Sequence, residues 1–340
     1  MARYLTSRRD RRRSRNRRWV YVISALVIVI GLYFVYRIVS RGRQTKIENV
    51  TDASMDNEAL TSAFVSLPPE PNIGLSVATD EHIDEPNSKA AGLIDEALAL
   101  INGKPARIID ARDRLNEILL IPMSRQQRKF VKEQLSKLAE KWLFSRTIYP
   151  GDRLCKTVQV QPGSLLSTIS KQYRVPYEIL MEINGIKRAE TLRAGDMIKV
   201  INGPFHARVY RSTFTMDLYL QNTFVRSFPV GLGKPGRETP TGFWVVEPGG
   251  KLIKPTWRDP DTGKTYEADS PDYPLGSRWI RLKGLQGEAV GRTGIAFHGT
   301  KDPNLIGTAG SRGCIRLYNG DVILIYNLLM PGLSRVEVVE

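Results

Sequence analysis

The chain reads as a multidomain protein: an N-terminal transmembrane helix, a small α-helical region, a compact βααβ module and a mostly-β C-terminal domain. Three observations predict this. An uncharged apolar run follows an arginine-rich leader, hydrophobic spacing turns from helical to alternating near residue 155, and short β-type segments then recur to the C-terminus. At 340 residues the chain is long enough for several hydrophobic cores.

The net charge of +15 is unevenly placed. Residues 1–46 carry 13 Lys or Arg and one acid, residues 47–88 carry nine acids and no Lys or Arg, and the remainder is modestly cationic. Nothing resembles an RNA-binding consensus or a helix-turn-helix with a basic recognition face, so no nucleic-acid partner is expected. Residues 1–18 form a basic leader, expected to stay cytoplasmic. The run Trp19–Val39, extended past Arg37 by snorkelling, is long enough to cross ~30 Å of hydrocarbon, with aromatics at both ends. No small-residue cleavage site follows, only Ser40-Arg41-Gly42-Arg43, so an uncleaved single-pass anchor in the cytoplasmic membrane is favoured over a signal peptide. The bulk of the chain would then lie outside, in the periplasm or cell-wall space. Residues 40–88, acidic and broken by Pro68, Pro69, Pro71 and Pro86, read as a disordered linker.

Residues 89–149 form the helical region. Leu93, Ile94, Ala97, Leu98 and Ile101 share a face of a first helix stopping at Asn102-Gly103. A second helix runs from Ala106 to Leu120. A third, from Arg125 to Phe144, is capped by Ser124 and turns Phe130, Leu135, Leu138 and Trp142 inward. A spacer or docking module is the simplest role for it.

Residues 155–202 change character. A strand at 156–160, a Gln161–Ser164 turn, helices over 165–173 and 176–184, and a strand over 192–201 make a βααβ unit. The Val158-Gln159-Val160 run before Gly163-Ser164-Leu165, with Ile169, Tyr173, Asn184 and Leu192 to Gly195, resembles a LysM module along its whole length. The resemblance implies binding of N-acetylglucosamine-containing glycan such as peptidoglycan, loosely through Gly163–Leu165 and Asn184–Ile186.

Beyond Gly203-Pro204 the chain alternates as β-strands: 207–210, 213–220 and 223–230 with a Gln221-Asn222 turn, then 243–246, 278–282 and 294–297. A helix over 321–329 and a strand over 334–339 close it. His298 and Cys314 stand 16 positions apart across a loop bounded by apolar strand-like segments. A thiol nucleophile needs a base within reach and a group to orient it, and this pairing fits a Cys-His acyl-transfer site. Histidine, titrating near neutrality, suits a base that later returns the proton. The alternatives for the cysteines are a Cys155–Cys314 disulfide in an oxidising compartment or a metal site. The three histidines share no paired-ligand spacing, so neither metal nor cofactor is expected.

Residues 204–340 resemble the L,D-transpeptidase (YkuD-type) catalytic domain. The residues that carry this are Thr239-Pro240-Thr241-Gly242-Phe243, Pro255, Trp257, Tyr273 to Trp279, Phe297-His298-Gly299-Thr300, Ile306-Gly307 and Ser311-Arg312-Gly313-Cys314-Ile315-Arg316. The resemblance implies Cys314 as nucleophile, His298 as base, and a backbone carbonyl, that of Gly299, orienting the imidazole. Gly313 would allow the sharp turn before Cys314. The N–H groups of Arg312, Gly313 and Cys314 are candidate oxyanion donors. Ser311, Arg312 and Arg316 are the candidate substrate-binding residues, Arg316 to pair with a substrate carboxylate or else to tie loop carbonyls together. Family members often carry histidine where this chain has Arg312. Trp244, Trp257 and Trp279 could line a substrate channel or belong to the core.

The expected substrate is peptidoglycan: stem peptides at the catalytic domain, glycan at the LysM module. The expected reaction is acyl transfer from a stem tetrapeptide to an amine. A carboxypeptidase or D-amino-acid exchange enzyme of the same fold, and a non-enzymatic peptidoglycan-binding anchor, are the alternatives.

Overall fold

The computed structural model describes residues 85–340. The basic leader (1–18), the transmembrane span (19–39) and all but the last residues of the acidic linker (40–88) lie outside the described residues. Among the described residues no helix is long and apolar enough to cross a membrane.

Three helices come first: α1 Ser88–Asn102, α2 Ile108–Ile118 and α3 Arg125–Trp142. Each starts or stops for a local reason. The Asn87 side chain accepts the Ala90 N–H at α1, and Ser124 with Gln127 forms a reciprocal capping box at α3. Leu135, Leu138 and Trp142 face inward as expected, but Phe130 is exposed and Val131 takes the core position instead. The inward stripe of α3 is 131/135/138/139/142, one residue off the expected face at its N-terminal end.

The βααβ unit is β1 Cys155–Gln159, α4 Leu166–Tyr173, α5 Tyr177–Asn184 and β2 Met197–Ile201, with β1 and β2 antiparallel. Asn184 is buried, its amide bonded to both the N–H and the C=O of Lys199. It therefore fastens helix to strand, and it is not a free glycan-facing group. Lys199 in turn sends its ammonium to the carbonyls of Trp142, Ser145 and Thr147 at 2.5, 2.8 and 2.9 Å. Those are orphan carbonyls at and beyond the C-terminus of α3, so this one cation ties the module to the helical region.

The C-terminal part contains β3 Phe205–Tyr210, β4 Thr215–Leu220, β5 Thr223–Pro229, β6 Leu232–Gly233, β7 Gly242–Leu252, β8 Trp257–Arg258, β9 Thr265–Tyr266, β10 Trp279–Gln286, β11 Ala296–His298, β12 Ala309–Ser311, β13 Ile315–Arg316, α6 Asn319–Leu328 and β14 Arg335–Val339. Eight strands make one sheet in the order β13-β11-β10-β7-β14-β3-β4-β5, with β11/β13 and β3/β14 parallel and the other pairs antiparallel. Phe205, Phe224, Phe228, Trp244 and Phe297 are its largest fully buried side chains. Trp244 is thus core, settling one of the three tryptophans.

The helical region covers the β5 edge, which would otherwise offer unpaired backbone groups to another chain. Asn116 accepts the Phe224 N–H at 2.7 Å, and Lys132 reaches the fully buried Asp217 at 2.6 Å. Asp217 also accepts from Ser227 and Tyr219, so its charge is fully engaged.

His206 on β3 accepts the Arg335 N–H through Nδ1 at 3.1 Å and is buried. Burial first, then the charges of Arg335 and Arg174, push its pKa from 6.5 down to about 4. A histidine held neutral in the fold but free to charge when unfolded favours the fold above pH 6.5. That contribution is lost progressively as pH falls from 6.5 to 4, roughly 3 kcal/mol in all. Urea unfolding of His206→Asn should therefore show that much less acid destabilisation across the same window. An unchanged pH dependence would contradict the assignment.

Candidate active site

The edge of the sheet opposite the helices carries the predicted pair. Strands β11 and β13 run parallel, with Phe297 opposite Ile315 and His298 opposite Arg316. His298 and Cys314 line the same cavity of about 1020 Å³, together with Ser311, Arg312, Arg316, Trp257 and Trp279. Gly299 and Gly313 act through the backbone next to it.

His298 is buried, and its Nδ1 donates to the Gly299 carbonyl at 2.6 Å. A carbonyl can only accept, so Nδ1 carries the proton and Nε2 keeps its lone pair. The Trp279 ring stacks on the imidazole at 5.6 Å and 18°. Burial, and secondarily the charge of Arg316, hold its pKa at about 4 against the raising effect of the Gly299 bond.

Cys314 is half-buried and free, as is Cys155, so no disulfide joins them. The Cys314 thiol donates to the Gly294 carbonyl at 3.3 Å. Burial pushes its pKa up to about 11, against a hydrogen bond from the Ala296 backbone and the charges of Arg316 and Arg312. The cavity therefore holds a neutral thiol and a neutral imidazole across the neutral pH range. Cys155 is deeply buried and pushed to about 12, chiefly by burial, which leaves it inert.

The turn before Cys314 is built for its shape. Gly313 sits at φ +107°, a backbone state that side chains rarely adopt, and an added Cβ would lie 2.9 Å from Ile295 Cδ1. Ser311 closes the turn, accepting the Gly313 N–H at 3.1 Å and donating to the Cys314 carbonyl at 2.6 Å. Two expectations change here. The Ser311 hydroxyl is buried and spends its proton inside the turn, so it positions Cys314 and has no hydrogen left to donate to substrate. The Gly313 N–H is spent on Ser311, so it is not an oxyanion donor; those of Arg312 and Cys314 remain.

Arg316 is half-buried and forms no ion pair among the described residues. Arg312 does something else. Its guanidinium meets Asp261 at 2.7 Å and Asp259 at 3.1 Å, both at the tip of the β8–β9 hairpin that walls the cavity. Arg237 joins Asp261 at 3.2 Å. Asp261 is held below the usual carboxylate range by Arg237 first and by Arg312. At Asp259, desolvation works upward but is outweighed by the Asp261 and Thr262 N–H groups and by Arg312. Arg312 thus latches the hairpin to the cysteine turn and is not a free substrate ligand. In Arg312→Ala, amide exchange across residues 257–266 should quicken a few-fold, and KM should rise more than kcat falls. Unchanged exchange would show that the latch does not hold the hairpin.

Asn319, at the start of α6, was not legible in advance. Its amide donates to the Thr300 carbonyl at 2.9 Å and accepts the Ser277 N–H at 3.0 Å, pinning the loop after His298 to the loop before β10. A lone asparagine after an apolar pair carries no sequence signal of such a bridge. The hairpin acids Asp259 and Asp261 read only as a turn.

The sheet edge thus brings a free thiol, a tautomer-fixed histidine and an arginine with no ion pair among the described residues into one cavity. The sequence profile of the YkuD L,D-transpeptidase catalytic domain matches residues 204–338, and that of the LysM domain matches residues 158–200. The chain is 30% identical over 190 residues to a Bacillus subtilis protein, YkuD, assigned by name to the L,D-transpeptidases, covering 54% of this chain and 98% of that one. It is 32% identical over 134 residues to YqjB of the same organism, likewise named, covering 39% of this chain and 69% of that one. It is 28% identical over 206 residues to ErfK/SrfK of Escherichia coli, covering 56% of each. This chain belongs to the L,D-transpeptidase family and carries a LysM domain before its catalytic domain.

Proposed function

We propose that this chain is a membrane-anchored L,D-transpeptidase of the cell envelope, acting through a Cys314 acyl-enzyme on stem tetrapeptides. The observation that carries the reading is the shared cavity, with its free thiol, a histidine whose Nε2 keeps its lone pair, and Arg316, which forms no ion pair among the described residues. Trp19–Val39 would anchor the chain with its N-terminus inside. The acidic linker would let the body range toward the wall, and the LysM domain would hold glycan and raise the local concentration of stems.

Chemically, the sulfur attacks the carbonyl of the third stem residue, such as meso-diaminopimelate, while His298 Nε2 takes the thiol proton. The N–H groups of Arg312 and Cys314 receive the oxyanion, each donor contributing ~3 kcal/mol. The C–N bond to D-alanine breaks, and His298 returns the proton to the leaving amine. An amine acceptor then attacks the thioester, His298 takes its proton, and the thiol is regenerated. The product is a 3→3 cross-link or an attached amine. Arg316 would pair bidentately with a carboxylate of the donor.

Incubating the full-length protein with disaccharide-tetrapeptides, and reading the products by mass spectrometry, tests this. Cross-linked dimers with loss of D-alanine are expected, absent from Cys314→Ala. Tripeptide alone would mean that water resolves the thioester, making the protein a carboxypeptidase. Exchange of the terminal residue for an added D-amino acid would make it an exchanger. Unchanged substrate would remove the enzymatic reading.

A further inference from the structure

A second concavity lies at the other end of the sheet. Seven strand intervals separate β13 from β5, roughly 34 Å at ~4.8 Å each, so it shares no residue with the cysteine cavity. It is a trench of about 760 Å³ between α3 and the β4–β5 hairpin.

The α3 wall is a charge stripe. Arg125, Arg128, Lys129, Lys132 and Lys137 all line the trench, the first four sharing one helix face at i, i+3, i+4 and i+7, with Glu133 the only acid among the lining residues. They extend over thirteen residues of helix, about 18 Å for twelve steps of 1.5 Å. Lys132 is committed to Asp217 beneath the trench. Lys129 and Lys137 are exposed and make no ion pair among the described residues. The opposite side offers Tyr210 and Pro229 beside the polar Thr213, Thr215, Asn222 and Ser227, and Leu120 is exposed at the rim.

Cations in a row suit an anion whose charges repeat along a line. A single phosphate would ask for a convergent cluster, and a flat bilayer does not enter a concave trench. Tyr210 and Pro229 suit a repeat unit with an aliphatic or sugar face between charges. We propose that this trench binds a linear phosphodiester polymer, its phosphates along the α3 stripe and its polyol units against Tyr210 and Pro229. The site would hold the protein on an anionic envelope polymer while the cysteine cavity, on the far edge, stays open to stems. The inference does not rest on the transpeptidase reading, because it concerns binding alone.

The test uses the full-length protein in neutral detergent with a synthetic glycerol-phosphate oligomer bearing a photoreactive group. Crosslinked peptides are located by mass spectrometry, which separates the trench from the arginine-rich leader. Labelling is expected on residues 125–142 and 213–229. It should fall about tenfold or more in Lys129→Glu/Lys137→Glu, which changes only exposed positions, and should remain in the control Lys187→Glu/Arg188→Glu. Should the double variant fold poorly, Lys137→Gln alone should still lose labelling several-fold. Labelling confined to residues 1–46, or undiminished trench labelling in the charge-reversed variants, would overturn the proposal. So would displacement by anionic vesicles or an acidic peptide but not by unlabelled oligomer.

Discussion

Cys314→Ala should lower the rate of D-alanine release from a tetrapeptide donor by on the order of 10⁴-fold or more, without measurable loss of fold. The side chain is small and half-buried, its thiol bonds only to the backbone of Gly294 and Ala296, and Ser311 holds the turn through the backbone of residue 314, which alanine keeps. The same site predicts an unusual pH response. With the thiol at about 11 and the imidazole at about 4, the reactive form of the free enzyme is the neutral pair between those values. The acid limb falls as His298 takes a proton and loses its lone pair. The alkaline limb falls as the thiol gives up the proton that His298 is set to carry. kcat/KM should therefore be flat through neutrality. Iodoacetamide, which needs the thiolate, should alkylate Cys314 slowly at neutral pH and about tenfold faster per pH unit up to about 11. A preformed thiolate–imidazolium pair would instead give fast alkylation already at mildly acidic pH.

Gly299→Ala should cost about 10- to 100-fold in kcat while leaving Cys314 in place. An added Cβ would lie 2.2 Å from Asn319 Oδ1 and 3.0 Å from the Ser277 nitrogen, so one of the two loops must move. Either movement disturbs the Gly299 carbonyl that sets the His298 tautomer. A stability loss of roughly 1–3 kcal/mol should accompany it, as for other overpacked sites. Asn319→Gly, removing the obstructing amide, should relieve the stability loss in the double variant but not the activity loss, because the bridge to Thr300 goes with it. Full activity in Gly299→Ala would mean that the carbonyl does not orient the base.

The succession of helices, βααβ unit and β-rich tail was legible because each part has its own hydrophobic period. The positions of His298, Cys314, Gly299 and Arg316 were legible because they sit in short motifs at characteristic spacing. What the chain did not disclose were partnerships between segments far apart in sequence. Arg312 looked like a substitution within a substrate-binding motif, yet its partners Asp259 and Asp261 lie more than fifty residues away. Ser311 looked available until the turn's own backbone took both sides of its hydroxyl. Phe130 and Val131 are adjacent apolar residues on one helix, and only the packing partner decides which turns inward. The helical region looked like a spacer, whereas Lys132, Asn116 and Lys199 tie it to both neighbours through groups that no local pattern marks.

The central claim is that the chain passes through an acyl-enzyme on Cys314. Incubating the full-length protein with a tetrapeptide donor and no acceptor, quenching in acid and mapping the adduct by mass spectrometry tests it most directly. The predicted result is the donor mass less D-alanine on the peptide containing Cys314, absent from Cys314→Ala and from the peptide containing Cys155. An adduct on Cys155, an adduct that survives in Cys314→Ala, or turnover with no covalent adduct under single-turnover sampling would contradict it.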